Sequence, residues 1–173
     1  MEDKISIYEL NNSFFSNSNL AIALNQKSSF GELINGKVIY SLYEALYLVD
    51  LKKAILISNK KTLVFSEIIR KYAKKQREIA HKYLVFKDLR NKGYILKAGL
   101  KFGVDFRCYE KGEKPKIEHA KYLVNITNEK SKLDIKDFCS KVRVANSTNK
   151  ILLMAIVDSE EDITYFEVNW KKS

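Results

Sequence analysis

The chain has 173 residues, 46% apolar and 12% aromatic, with six Gly and one Pro. That content suits one ordinary domain or two small ones around a buried core and excludes a fibrous or disordered chain. Thirty-one Lys and Arg against 21 Asp and Glu leave a net charge of +10, which favours a polyanionic partner. All but five of these cations are Lys, and lysine-rich surfaces also arise in proteins from hot environments. The longest apolar run, Ile151 to Val157, falls far short of the roughly 18 residues a membrane span needs. The N-terminus begins with acidic residues and has no apolar signal core. A soluble, cytoplasmic protein with no membrane partner is expected. Cys108 and Cys139 have no C-x-x-C spacing and no neighbouring His to complete a zinc site, so they read as free thiols in a reducing compartment.

Along the chain, residues 11–19 read as a polar turn and Ala21 to Asn25 as a short amphipathic piece. Leu42, Ala45, Leu46 and Val49 have helical spacing, with Ser41 as N-cap and Glu44 completing a capping box. Ala54 to Ser58 is a strand, Asn59 to Lys61 its turn, and Leu63 to Phe65 another extended piece. Ser66 is the expected cap of a basic helical segment that stops at Gly93. Beyond it Phe102, Val104, Phe106 and Cys108 alternate onto one strand face, leaving Asp105, Arg107 and Tyr109 on the other. A strand over His119 to Ile126 follows, then a helix opened by Ser131 to Asp134, whose Ile135, Phe138, Cys139 and Val142 keep helical spacing. A doubly buried strand over 151–157, an acidic tip and a last strand from Ile163 to Trp170 complete the chain. The pattern predicts an α+β chain: a helix-rich N-terminal domain with short strands over residues 1–80, and an α/β domain with a mixed sheet over residues 81–173.

Two histidines, and no Walker loop, dinucleotide fingerprint, H-E-x-x-H or nucleophile elbow, leave few chemistries. Asp105 with Asp134-Ile-Lys136 has the letters of a Mg²⁺-dependent nuclease, although Asp134 reads as a helix cap. RNA cleavage without a metal needs a base for the 2′-hydroxyl, a cation for the phosphorane and an acid for the leaving 5′-oxygen. His119, just past a Gly- and Pro-containing turn, is better placed for such work than His81 inside the basic helix.

Four motifs stand in order: Arg90-x-x-Gly93-Tyr94; Lys97-x-Gly99-x-Lys101-Phe-Gly103-x-Asp105-Phe-Arg107-x-Tyr109; Pro115-x-x-x-His119-Ala-x-Tyr-Leu-Val124; and Arg143-x-Ala-x-Ser-x-x-Lys150. Together they resemble the catalytic subunit of the archaeal tRNA-splicing endonucleases (tRNA-intron lyases), over about residues 84–170. The segment Ser41 to Val49 also resembles the N-terminal domain helix of that family, whereas residues 1–30 match nothing identifiable.

The resemblance implies Tyr109 as general base, His119 as general acid and Lys150 as the stabilising cation, with no metal and no cofactor. A tyrosine of reference pKa about 10 is a weak base at neutral pH, and cations such as Lys150 or Arg107 would favour its ionised form. It further implies that the RNA is a precursor tRNA with a bulge-helix-bulge, cut to a 2′,3′-cyclic phosphate and a 5′-hydroxyl. A bulge base would be clamped by Arg143 and by Trp170, which stands where the family carries an Arg, with Arg107 and Lys101 as further RNA contacts. The acidic tip, Asp158, Glu160, Glu161 and Asp162, would dock on a neighbouring subunit of a homotetramer, or of a heterotetramer with a paralogous structural subunit. A non-catalytic RNA-binding subunit of the same assembly and a Mg²⁺-dependent nuclease are the competing readings.

Overall fold

The computed structural model describes residues 4–74, 78–115 and 117–171 and divides into two compact units, Met1–Tyr83 and Leu84–Ser173. The N-terminal unit holds six short strands: β1 (Ile5–Leu10), β2 (Ser13–Ser16), β3 (Glu32–Ile34), β4 (Lys37–Tyr40), β5 (Ala54–Ser58) and β6 (Lys61–Leu63). They form one sheet in the order β3-β4-β2-β1-β5-β6, accompanied by helices α1 (Asn19–Ser28), α2 (Leu42–Asp50) and α3 (Phe65–Ala73).

Three hairpins build most of this sheet through two-residue turns, Asn11-Asn12, Asn35-Gly36 and Asn59-Lys60. Both residues of each turn have positive φ, the type I′ geometry whose twist matches that of the flanking strands. The turn-like segment 11–19 therefore contains a strand, with Phe14 buried, and the unit carries more sheet than its helical patterning suggested. The predicted capping box is present: Glu44 Nα–H donates to Ser41 Oγ at 3.3 Å, and Glu44 Oε2 accepts from Ser41 Nα–H at 2.9 Å. Glu44 is itself buried, and its second oxygen accepts from Gly31 N–H at 2.9 Å, which ties α2 to the loop before β3.

The basic segment after residue 63 is two helices, α3 and α4 (Ile79–Asn91), with residues 75–77 outside the described set. Ser66 does not cap α3. The helix starts at Phe65, and Glu67 Oε2 accepts from Val64 N–H at 3.0 Å.

The C-terminal unit carries β7 (Ile95–Ala98), a 3-10 turn at Leu100–Phe102, β8 (Phe106–Tyr109), β9 (Tyr122–Asn128), α5 (Ile135–Ser147), β10 (Ile151–Val157) and β11 (Ile163–Val168). The sheet order is β11-β10-β9-β8-β7, with β9 and β10 parallel and the other neighbours antiparallel. One face packs on α5 through Val104, Leu123, Val142, Ala145, Leu152 and Met154. The opposite face meets α4: Phe86 lies edge-on to Phe106, and Tyr165 Oη–H donates to Asp88 Oδ2 at 2.7 Å. Burial and then the Asp88 carboxylate keep the Tyr165 phenol protonated well above its ordinary range. Asp134 caps α5 as expected, and Ile135 in its first turn is 62% exposed. No helix among the described residues is long and apolar enough to cross a membrane.

Gly99 sets the corner between β7 and β8. A Cβ there would lie 2.7 Å from Val104 Cγ2, 2.8 Å from the Val104 carbonyl oxygen and 2.9 Å from Phe106 N. Because two of these atoms are backbone, a side chain cannot be accommodated by a rotamer change. Gly99→Ala should destabilise the chain by about 1–3 kcal/mol, read as a fall of several degrees in Tm. An unchanged Tm would show that the corner yields.

Candidate active site

Strand register brings the sequence-predicted residues to one end of the C-terminal sheet. Cys108 on β8 pairs with Tyr122 on β9, and Tyr122 pairs with Ile151 on β10. The residues one step outward are therefore Tyr109, Lys121 and Lys150, and Ile151 N–H donates to the Lys121 carbonyl at 3.0 Å. With strands about 4.8 Å apart, the Tyr109 and Lys150 backbones stand roughly 10 Å from one another with β9 between. His119 is exposed in the segment joining β8 to β9, two residues before Lys121, and so belongs to the same end.

Pleating aims Arg107, Tyr109 and Lys150 at the face that α5 covers, because they alternate with residues of the α4 face. Tyr109 is only 2% exposed and packs with Ile95 and Ala120. The Arg107 guanidinium carbon lies 6.0 Å from the Tyr109 ring centroid, and its Nε–H donates to the Ala98 carbonyl at 3.0 Å. Lys150 Nζ donates to the Thr148 carbonyl at 2.7 Å, at the C-cap of α5, and sits 5.6 Å from the Phe102 ring centroid. The helix C-terminus favours a cation at that point.

Arg143 is exposed on α5 between the buried Val142 and the half-buried Val144, seven residues before Lys150. Lys101 is exposed in the 3-10 turn beside Phe102. Trp170 lies beyond the end of β11 and is 45% exposed.

In the acidic tip, Asp158 Oδ1 accepts from both Glu160 N–H and Asp162 N–H at 2.9 Å. That carboxylate is spent inside the turn, which leaves Glu160, Glu161 and Asp162 exposed. The carboxylates of the nuclease-like letters also serve backbone donors: Asp105 Oδ2 accepts from Ile126 N–H at 2.8 Å and Asp134 Oδ1 from Lys136 N–H at 2.8 Å. Among the described residues no three metal-ligating side chains cluster. His81 is half-buried in α4.

Two neighbours of the site escaped sequence reasoning. Phe102, beneath the Lys150 ammonium, was assigned to a strand face, but Gly99 and Gly103 instead turn its segment into a 3-10 turn. Glu110, next to Tyr109, pairs with Lys121 and raises the ammonium pKa above its usual range, joining the two ends of the segment that carries His119. A Glu and a Lys eleven residues apart give no signal of this until β8 and β9 are paired.

Residues 79–165 match the family model described as the catalytic C-terminal domain of tRNA intron endonuclease. The chain belongs to the tRNA intron endonuclease family. It is 42% identical to a tRNA-splicing endonuclease of Methanothermobacter thermautotrophicus, over 88% of this chain and 89% of that one. It is 40% identical to one of Thermococcus kodakarensis over 92% and 93%, and 33% identical to one of Pyrococcus horikoshii over 99% of each. Membership makes this chain an RNA endonuclease, and the matched residues include Tyr109, His119, Arg143, Lys150 and the acidic tip.

Burial pushes the Cys108 thiol up to about 12, with Glu113 and Glu110 adding to the effect, whereas Cys139 is half-buried. Cys108 lies beside Tyr109, so its reactivity reports opening of this end of β8. At pH 8 a thiol reagent should modify Cys139 first and Cys108 only at the rate of unfolding. Rapid reaction of both thiols in the folded endonuclease would show that β8 opens readily.

Proposed function

We propose that this endonuclease cuts precursor tRNA at bulge-helix-bulge junctions by metal-independent transesterification. The observation that carries the reading is the register that lines up the ends of β8, β9 and β10, and with them Tyr109, His119 and Lys150. In this mechanism Tyr109 takes the proton from the 2′-hydroxyl beside the scissile phosphate. The 2′-oxygen attacks phosphorus, and Lys150 offsets the charge on the phosphorane. His119 then protonates the departing 5′-oxygen, so the products are a 2′,3′-cyclic phosphate and a 5′-hydroxyl.

The exposure of His119 suits a group that must meet RNA directly. Tyr109, by contrast, is buried against Ile95 and Ala120 in the free chain, so its use requires its surroundings to open as RNA enters. Lys150 likewise exchanges the Thr148 carbonyl for phosphate oxygens. Arg143 stacks on an extruded bulge base from the helix covering the same face, and Trp170 supplies the second surface. Arg107 and Lys101 contact the backbone, and Arg107 also offers its charge to Tyr109. The subunits assemble as a tetramer, with Glu160, Glu161 and Asp162 held against lysines of a neighbour. Such carboxylates gain from burial only when paired on arrival.

His119→Ala should lower the single-turnover cleavage rate in EDTA by roughly 10² or more with RNA affinity nearly kept, as expected for loss of a general acid. His81→Ala should do little. Near-wild-type cleavage by the His119 variant would refute the assignment.

The assembly is tested separately. Glu160, Glu161 and Asp162 changed together to Ser leave the Asp158 turn intact, and should reduce the sedimenting mass to that of a dimer and slow cleavage. High salt should act in the same direction by screening the exposed part of the contact. An unchanged mass would place the interface elsewhere.

A further inference from the structure

A groove of about 420 Å³ in the N-terminal unit is lined by Lys4, Lys27, Lys52 and Lys53 together with apolar residues that include Leu20 and Leu24. Among the described residues, none that lines it is a carboxylate. The lysines converge because β1 and β5 are parallel and begin side by side: Ile5 pairs with Ala54, and Ile5 N–H donates to the Lys53 carbonyl at 3.0 Å. Lys4 and Lys53 therefore stand next to each other at the same end of the sheet, an arrangement of like charges that is unfavourable without a counter-charge. Lys52 precedes Lys53 in the turn after α2, and Lys27 comes from the last turn of α1.

A second basic groove, lined by Lys61, Arg70, Lys71 and Lys74, differs in the feature that matters. It contains Glu67, which pairs with Lys61, and its Lys71 is bound to Glu9 at 2.6 Å. The first groove concentrates four cations with no acid among its described lining residues.

We infer that the Lys4, Lys27, Lys52 and Lys53 groove binds the phosphate backbone of the RNA substrate, as a docking surface in the N-terminal unit outside the catalytic unit. This inference rests on the proposed RNA cleavage reaction. Ammonium groups act as point charges toward phosphate without reading sequence, and the apolar lining gives sugar or base edges a surface to rest on. A polyanion of fixed charge spacing answers four converging cations better than an isolated anion, because each contact also releases counterions from the RNA.

The test changes Lys4, Lys27, Lys52 and Lys53 together to Gln in the full chain and measures binding of a bulge-helix-bulge precursor RNA across salt concentrations. At up to about 0.9 in salt slope per phosphate contact, the slope of log affinity against log salt should become shallower by about 3. Affinity near physiological salt should fall at least tenfold, with KM rising more than kcat changes. Should the fourfold variant melt early, the pairs Lys4/Lys53→Gln and Lys27/Lys52→Gln are each expected to lose about half of that slope. A folded variant with the wild-type slope overturns the inference. So does a variant that keeps the slope but loses assembled mass, because the groove then holds an acidic protein segment. Failure of the wild-type chain to cleave the RNA while the slope change persists would instead count against the proposed reaction and leave this surface standing.

Discussion

The register of three strands is the constraint on which the site depends. β8 runs against β9 while β9 and β10 run together, so the end of the first lies beside the beginnings of the other two. A slip of one residue at either pairing would turn Tyr109 or Lys150 to the opposite face of the sheet. The register is held by burial: Leu123, Leu152 and Met154 face α5, while Phe106 and Tyr165 engage Phe86 and Asp88 of α4. Residues packed in the middle of the sheet thus fix the spacing of residues at its end.

The same packing sets how the candidate residues stand in the free chain. Tyr109 is covered, and Lys150 is bound to a helix carbonyl above Phe102. The carbonyl contact gives the Lys150 ammonium an acceptor at the edge of the core. RNA phosphate is a stronger partner for the Lys150 ammonium than a carbonyl. Ala120, on the segment whose two ends are joined by the Glu110–Lys121 pair, is one of the residues packed against Tyr109.

Local chemistry was legible where a few neighbouring residues decide it. The Ser41 and Glu44 capping box, the Asn59 turn, the Asp134 cap and the apolar run of β10 all follow from spacings of a few residues. The hairpin at Asn11-Asn12 was not legible, because the polar letters around Phe14 mask a strand whose inward residue packs only once β1 and β4 flank it. Ser66 misled because the helix begins one residue before it, with Val64 as N-cap and the Glu67 carboxylate accepting from the Val64 N–H. The candidate triad emerged from family spacing, yet the burial of Tyr109 and the pairing of Glu110 with Lys121 depend on strands paired across a twelve-residue segment. Spacing names residues; only the folded sheet says which of them are covered.

The central claim is that the RNA supplies its own nucleophile at the end of this sheet. A precursor RNA carrying a single 2′-deoxynucleotide at one splice site, incubated with the wild-type chain in EDTA, tests it most directly. The account predicts no cleavage at the modified site, with binding kept and the unmodified junction still cut to a 2′,3′-cyclic phosphate. Cleavage at the deoxy position would mean that water or another group attacks phosphorus, and the transesterification mechanism would be wrong.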